Sequence, residues 1–420
     1  MISSLYTAVT GLAASSQELG VIGDNIANAN TIGFKGGRAA FEEALASSLL
    51  GGSSGAGLGV QLQAVQRILT QGALLSTGVA TDLALQGPGF FVVRGNHAGR
   101  EGTFYTRAGQ FTVDGDGYLV NLDGLRLQGY GADAAGDVGS ALGDLAVGAA
   151  SSPPRPTERV LLRANLNADA ELVGAWDPAQ ASATSNFSTS VTAYDAIGRA
   201  HQIEVYFRKT ADGAWEWHAL ADGAGLEGGT AGTPAEVASG TLSFDADGKL
   251  TGGTQASTFQ PRGAAGPQAL QFDFGTAGGT SAITQFADTS AVSFVSQDGY
   301  GAGELTAVSV DASGRVVGAF TNGQSRVLGQ VAVADFAAPD QLERLGGNLY
   351  GVLPAAGEAT VGVPGSGGRA TIASGALEQS NVDLAGELVR MMTAQRGFQA
   401  NSKTITTADQ LLADLIQLKR

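Results

Sequence analysis

The stretch Leu384-Ala-Gly-Glu-Leu-Val-Arg-Met391-Met-Thr-Ala-Gln-Arg-Gly-Phe398-Gln-Ala-Asn-Ser-Lys-Thr-Ile405 decides the fold. Leu384, Met391, Phe398, Ile405 and Leu412 recur every seven residues, the period of a helix that packs along one seam. Leu388, Gln395, Ser402, Asp409 and Ile416 form the companion row, which is mostly polar. Ser380 with Asp383 resembles a capping box before this helix. The other end of the chain has the same rhythm. Leu5, Leu12, Leu19 and Ile26, with Ile2, Val9, Ser16 and Gly23 as companions, predict a helix. It should be about 40 Å long. Neither helix can bury its stripe alone. The spacing predicts that the two ends pair, so the chain leaves and returns to one place. The polar row suits neighbours that stay partly wet, as in an assembly.

Between the ends the pattern is that of strands. Gly89–Arg94, Thr103–Arg107, Gln110–Val113 and Tyr118–Asn121 are short, aromatic or β-branched, and bounded by Gly or Asp. His201, Ile203, Val205 and Phe207 alternate with polar neighbours, and Trp215–Ala219 follows after Asp212-Gly213. Residues 304–335 return to strands. Asp-x-x-Gly recurs at Asp114–Gly117, Asp195–Gly198, Asp245–Gly248 and Asp311–Gly314. Asp there accepts backbone amides and Gly takes positive φ, which predicts hairpin turns. A calcium loop would need a further ligand and a distal Glu, which Asp114–Gly117 lacks. Leu50–Gly59 reads as a flexible Gly/Ser segment, and Ser151–Pro156 as a stiff connector. The expected fold is mainly β, multi-domain, with a terminal α-helical coiled coil and nested β-domains. Its expected parts are 1–35 with 375–420 (helical), 36–79 (connecting), 80–154 with 301–374 (β), and 155–300 (inserted β). Residues 376–420 should then be removable without unfolding the β body.

Composition narrows the function. The 420 residues carry 24 bases and 39 acids, a net charge of −15, with 63 Gly and no Cys. Without Cys there is no disulfide, iron–sulfur cluster or thiolate zinc site. The acidic balance argues against nucleic acid and against docking on anionic lipid. No apolar run is long enough to cross a membrane. The first basic residue is Lys35, so a secretory signal peptide is not expected. Gly51–Gly55 matches a nucleophile elbow in pattern, but it lies in a Gly/Ser tract without the strand and helix an elbow needs. His97, His201 and His218 are the three imidazoles; His201 begins an alternating strand and His218 lies in Trp215–Ala219, so core or surface strand positions explain both better than a metal pair. Trp215, Trp217 and Tyr206 could form a carbohydrate platform, though such aromatics more often stiffen a hairpin. No catalytic residue, cofactor or metal is expected.

One string is specific. Ala27-Asn28-Ala29-Asn30-Thr31-Ile32-Gly33-Phe34-Lys35 resembles the signature after the N-terminal helix of bacterial flagellar rod and hook proteins. Ala80–Val93, with Pro88 departing from the pattern, and Phe104–Phe111 with Gly117–Asn121 resemble the strands of that family's axial domain. Gly375–Ala385, containing Asn381, and Gln395–Lys403, containing Gln395, Arg396 and Asn401, resemble its C-terminal motif. The resemblance covers roughly 1–130 and 370–420. Rod members lack a sizeable insert, whereas 155–300 here is similar to the outer domain of a flagellar hook protein. The resemblance implies a helical homopolymer, a curved flexible universal joint transmitting torque. The same resemblance implies terminal helices that line a central channel. It also implies type III export without a cleaved signal, and partners among the distal rod, hook cap and hook–filament junction proteins. Two rivals stand: a distal rod protein, and a secreted carbohydrate-binding or hydrolytic β-protein, which leaves the heptads unexplained.

Overall fold

The computed structural model describes residues 2–45, 57–148 and 150–418. Two long helices occupy the ends, α1 (Ile2–Ala27) and α2 (Leu384–Leu418). The Asp383 carboxylate accepts the Ala385 amide at 3.1 Å and caps α2 itself, so the cap is one residue rather than a Ser380–Asp383 box. α1 ends where the Asn28 side chain folds back onto the Asp24 carbonyl at 2.9 Å. Among the described residues no helix is long and apolar enough to cross a membrane.

The described part of segment 36–79, expected as a connector, is largely β. Gly37–Leu45 pairs antiparallel with Gly57–Arg67. The alternation Val60-Gln-Leu62-Gln gives the second strand one apolar face. This hairpin lies along α1: the Val60 amide donates to Thr10 Oγ1 at 3.4 Å. Asn25, buried, donates to the Gly37 carbonyl and accepts its amide, both at 2.8 Å. Of the Gly/Ser segment Leu50–Gly59, residues 50–56 lie outside the described residues, as does the elbow-like Gly51–Gly55.

The chain forms two compact units. The first comprises Met1–Ala150, Ala307–Ala319 and Ser325–Arg420. Its main sheet runs in the order Arg315–Phe320, Ser325–Val331, Arg126–Ala132, Phe90–His97, Arg100–Thr106, Leu349–Gly351, Glu343–Gly346. The apolar run Phe90–Val93 is buried on both faces. Phe90 packs edge-on against Tyr350 at 5.4 Å and Phe336 at 6.0 Å. Short strands from the two ends close the unit: Leu83–Gln86 pairs with Thr371–Ser374, and Leu74–Ser76 with Ala376–Glu378.

The second unit comprises Ser151–Thr306 and Phe320–Gln324. A five-stranded antiparallel meander runs Phe187–Tyr194, Ala200–Ala211, Ala214–Asp222, Pro234–Phe244, Leu250–Ser257. A three-stranded sheet orders Gln271–Asp273, Arg159–Asn165, Ala291–Gln297. One core joins both sheets, with Val160 and Leu162 from the smaller and Phe207, Trp215 and Trp217 from the larger. Trp215 and Trp217 are 1% and 0% exposed, which removes the carbohydrate-platform reading. Tyr206, also buried, packs on the other face of its strand beside Trp176.

All four Asp-x-x-Gly tetrads are turns of one geometry. In each, Asp Oδ1 accepts the amides two and four residues on, at 2.8–3.0 Å, and Gly has φ between 73° and 87°. Asp133–Gly136 and Asn121–Gly124 make the same turn. The Asp114 carboxylate is thus occupied by the Asp116 and Tyr118 amides.

Candidate assembly site at the joined ends

The two helices pack antiparallel over a seam of small residues. A Cβ added at Gly11 would lie 2.7 Å from Asn401 Nδ2, and one at Gly397 would lie 3.6 Å from Ser15 Oγ. The buried positions are Ala8, Ala14, Ile22 and Asn25 in α1 and Glu387, Ala394 and Ala408 in α2. With Asn401, the α2 set repeats every seven residues. The seam therefore uses Glu387/Ala394/Asn401/Ala408, a small and polar row, beside Met391, Phe398 and Ile405, which are half-buried. Of the expected companion row, Leu388, Gln395 and Asp409 are exposed and Ser402 is half-buried. In α1, Leu5, Leu12, Leu19 and Ile26 are half-buried and flank the seam, while Val9 is exposed. Small side chains let helix axes approach, which a reading by large apolar residues does not anticipate. The side chain of Leu412 lies outside the described residues.

One face of α2 remains apolar and open. Leu384, Leu388, Val389 and Met392 are 48%, 46%, 58% and 53% exposed, and Tyr6 and Val9 are exposed on α1. Contiguous exposed apolar surface of this kind marks a surface for association.

Beside the helix pair, the motif strings meet at a buried ion cluster. Lys35 Nζ donates to Glu378 Oε1 at 2.6 Å and to the Thr70 carbonyl at 2.8 Å. Arg107 Nη1 donates to Glu378 Oε2 at 3.2 Å and Nη2 to the Gly87 carbonyl at 2.8 Å. The Gly72 amide also donates to Glu378 Oε1, at 2.9 Å. Burial, opposed by Glu378, holds the Lys35 ammonium below its ordinary pKa, with Arg107 adding repulsion. Burial lowers Arg107 likewise. Asn381 ties the same place together, accepting the Gly36 amide at 2.9 Å and donating to the Ile68 carbonyl at 2.6 Å.

The other motif residues are placed as follows. Gly33 has φ +70 and donates to the Glu378 carbonyl at 2.7 Å. Phe34 is buried under the Arg344 guanidinium, 5.0 Å from its ring centre. Thr31 donates to Asn28 Oδ1 at 3.1 Å. Ala27, Asn30, Gln395 and Arg396 are exposed and take no part in the cluster. Sequence reasoning singled out Lys35 and Asn381 but not Arg107, Glu378 or Asn25. Arg107 and Glu378 stood inside the quoted strings, and Arg107 is the one charged residue of Phe104–Phe111.

Domain families match in the order the fold implies. "Flagella basal body rod protein" matches residues 5–35, "Flagellar hook protein FlgE/F/G D1 domain" 84–153, "Flagellar basal body protein FlaE D2 domain" 165–300, and "Flagellar basal body rod FlgEFG protein C-terminal" 373–418. The flagellar hook protein FlgE of Borreliella burgdorferi is 36% identical over 456 residues, covering 100% of both chains. Those of Escherichia coli and Salmonella typhimurium are 33% and 34% identical, covering 98% and 99% of this chain and 99% and 100% of their own. A crystal structure of Helicobacter pylori flagellar hook protein FlgE2 aligns with 71% of this chain and 98% of its own at 17% identity, with a TM-score of 0.44. The four family models and the curated relatives place this chain among the rod and hook proteins of the bacterial flagellum. Within that class, the chain belongs to the flagellar hook protein family.

Proposed function

We propose that this chain is the structural subunit of a bacterial flagellar hook, a helical homopolymer that couples rod to filament and bends while it transmits torque. Full-length similarity to named hook proteins supports this over a distal rod protein. The observation that carries it is the open apolar face of α2 at Leu384, Leu388, Val389 and Met392, on a helix whose other side is already covered by α1. A contact that does not close on itself builds an open helix. Leu5, Leu12, Leu19, Ile26, Met391, Phe398, Ile405 and Leu412 then make or support helix packing between subunits.

In this reading residues 1–35 and 375–420 form the inner helical layer. Residues 80–154 with 301–374 form the axial domain, and 155–300 the outer one. The hairpin within 36–79 joins the inner layer, because it lies along α1. The chain performs no catalysis, is exported by the flagellar type III apparatus, and meets distal rod, hook cap and junction proteins at the ends of the polymer. Electron microscopy of the purified chain at rising concentration tests the proposal. Tubes are expected above a threshold; particles of constant size at every concentration would refute it.

A further inference from the structure

Glu378 closes segments that are far apart in sequence. Its carboxylate takes Lys35, Arg107 and the Gly72 amide, its carbonyl takes the Gly33 amide, and its strand pairs with Leu74–Ser76. The side chains of Lys35 and Glu378 are wholly buried, and that of Arg107 is 5% exposed. Two cations thus share one carboxylate out of water. Tyr350 and Asp335 also act on Arg107, and its Nε is buried without a hydrogen-bond partner. Remove Glu378 and two like charges are left facing each other in an apolar setting, a state that costs far more than an empty site.

We infer that the Lys35–Glu378–Arg107 cluster is a completion lock. The unit carrying both chain ends stays open until the segment around residue 378 docks, whereas Ser151–Thr306 folds without waiting for it. The second unit has its own two sheets and its own core. The first is closed by residues 343 positions apart, the separation of Lys35 and Glu378. A chain presented N-terminus first therefore keeps its ends apart until nearly all of it is available, and an incomplete chain does not lock prematurely. The inference concerns folding and does not depend on what the chain assembles into.

The test uses the full chain with Glu378→Gln, and the same chain with Lys35→Met added. All three Trp residues, Trp176, Trp215 and Trp217, lie in the second unit, so Trp fluorescence during urea unfolding reports that unit alone. Amide exchange in Phe90–His97 and Arg100–Thr106 reports the first. Glu378→Gln should speed exchange there roughly 100-fold or more and leave the Trp midpoint unchanged. Adding Lys35→Met should recover most of the protection, because it ends the repulsion between the two cations and leaves Arg107 as the one buried charge. Unchanged exchange in Glu378→Gln would overturn the lock, as would a Trp midpoint that falls with it. Failure of Lys35→Met to restore protection would show that packing, not charge, closes the unit.

Discussion

At Gly33 the backbone takes φ +70, and an added Cβ would sit 2.5 Å from the Ala108 amide nitrogen and 2.6 Å from the Arg107 carbonyl carbon. No side-chain adjustment relieves a clash with backbone, so Gly33→Ala should cost about 2 kcal/mol or more. Urea unfolding followed by amide exchange in Phe90–His97 checks it. The turn residues make a milder, pH-dependent prediction. At Asp311, burial alone would raise the carboxyl pKa. The Ser313 hydroxyl and the Arg315 and Ser313 amides bond the charged form and bring it below the ordinary 3.8. Its stabilisation is therefore complete above pH 3.8 and lost as pH falls through the lower folded value. Asp311→Ala should cost about 1 kcal/mol near neutrality. Asn121 makes the same turn, so Asp311→Asn should keep the geometry while removing the acid-range loss. An Asp311→Ala penalty that stays constant down to about pH 2 would contradict the assignment to a charged acceptor. These turns were legible because Asp and Gly each have one reason to stand there. Asp133–Gly136 carries the same signal and was passed over.

The helix pair shows where reading by period succeeds and where it stops. Met391, Phe398 and Ile405, spaced by heptads, are half-buried beside the seam on α2. Period alone does not place Leu388 outside that seam, because Leu388 outranks Ala394 in apolarity while Ala394 is the buried one. What the sequence could not display is that Asn401 of α2 lies over Gly11, its Nδ2 2.7 Å from where a Cβ would sit. Gly11→Leu should therefore overpack the seam and cost about 1–3 kcal/mol. The readout is lost helical signal by circular dichroism with Trp fluorescence unaltered. The hairpin within 36–79 was hidden for a different reason. The Gly/Ser tract preceding Gly57 reads as a linker. The ion cluster was hidden because its members are far apart along the chain.

For the whole molecule, the lock changes where the ends can be cut. Removing residues 376–420 takes away Glu378 and Asn381 and should open the first unit, contrary to the separability expected from sequence. Removing only α2, residues 384–418, keeps both and should leave both units folded while abolishing assembly. Sedimentation with amide exchange distinguishes the two truncations. The central claim is that neighbours add onto the α2 face left open by α1. It is tested most directly by comparing the critical concentration for polymerisation with the melting temperature of the monomer in Leu388→Asp/Val389→Asp. Both side chains are exposed in the single chain, so monomer melting should not change. Each is worth about 1.5–3 kcal/mol when buried, so the critical concentration should rise at least about tenfold. An unchanged critical concentration would contradict the account, and so would a lowered melting temperature.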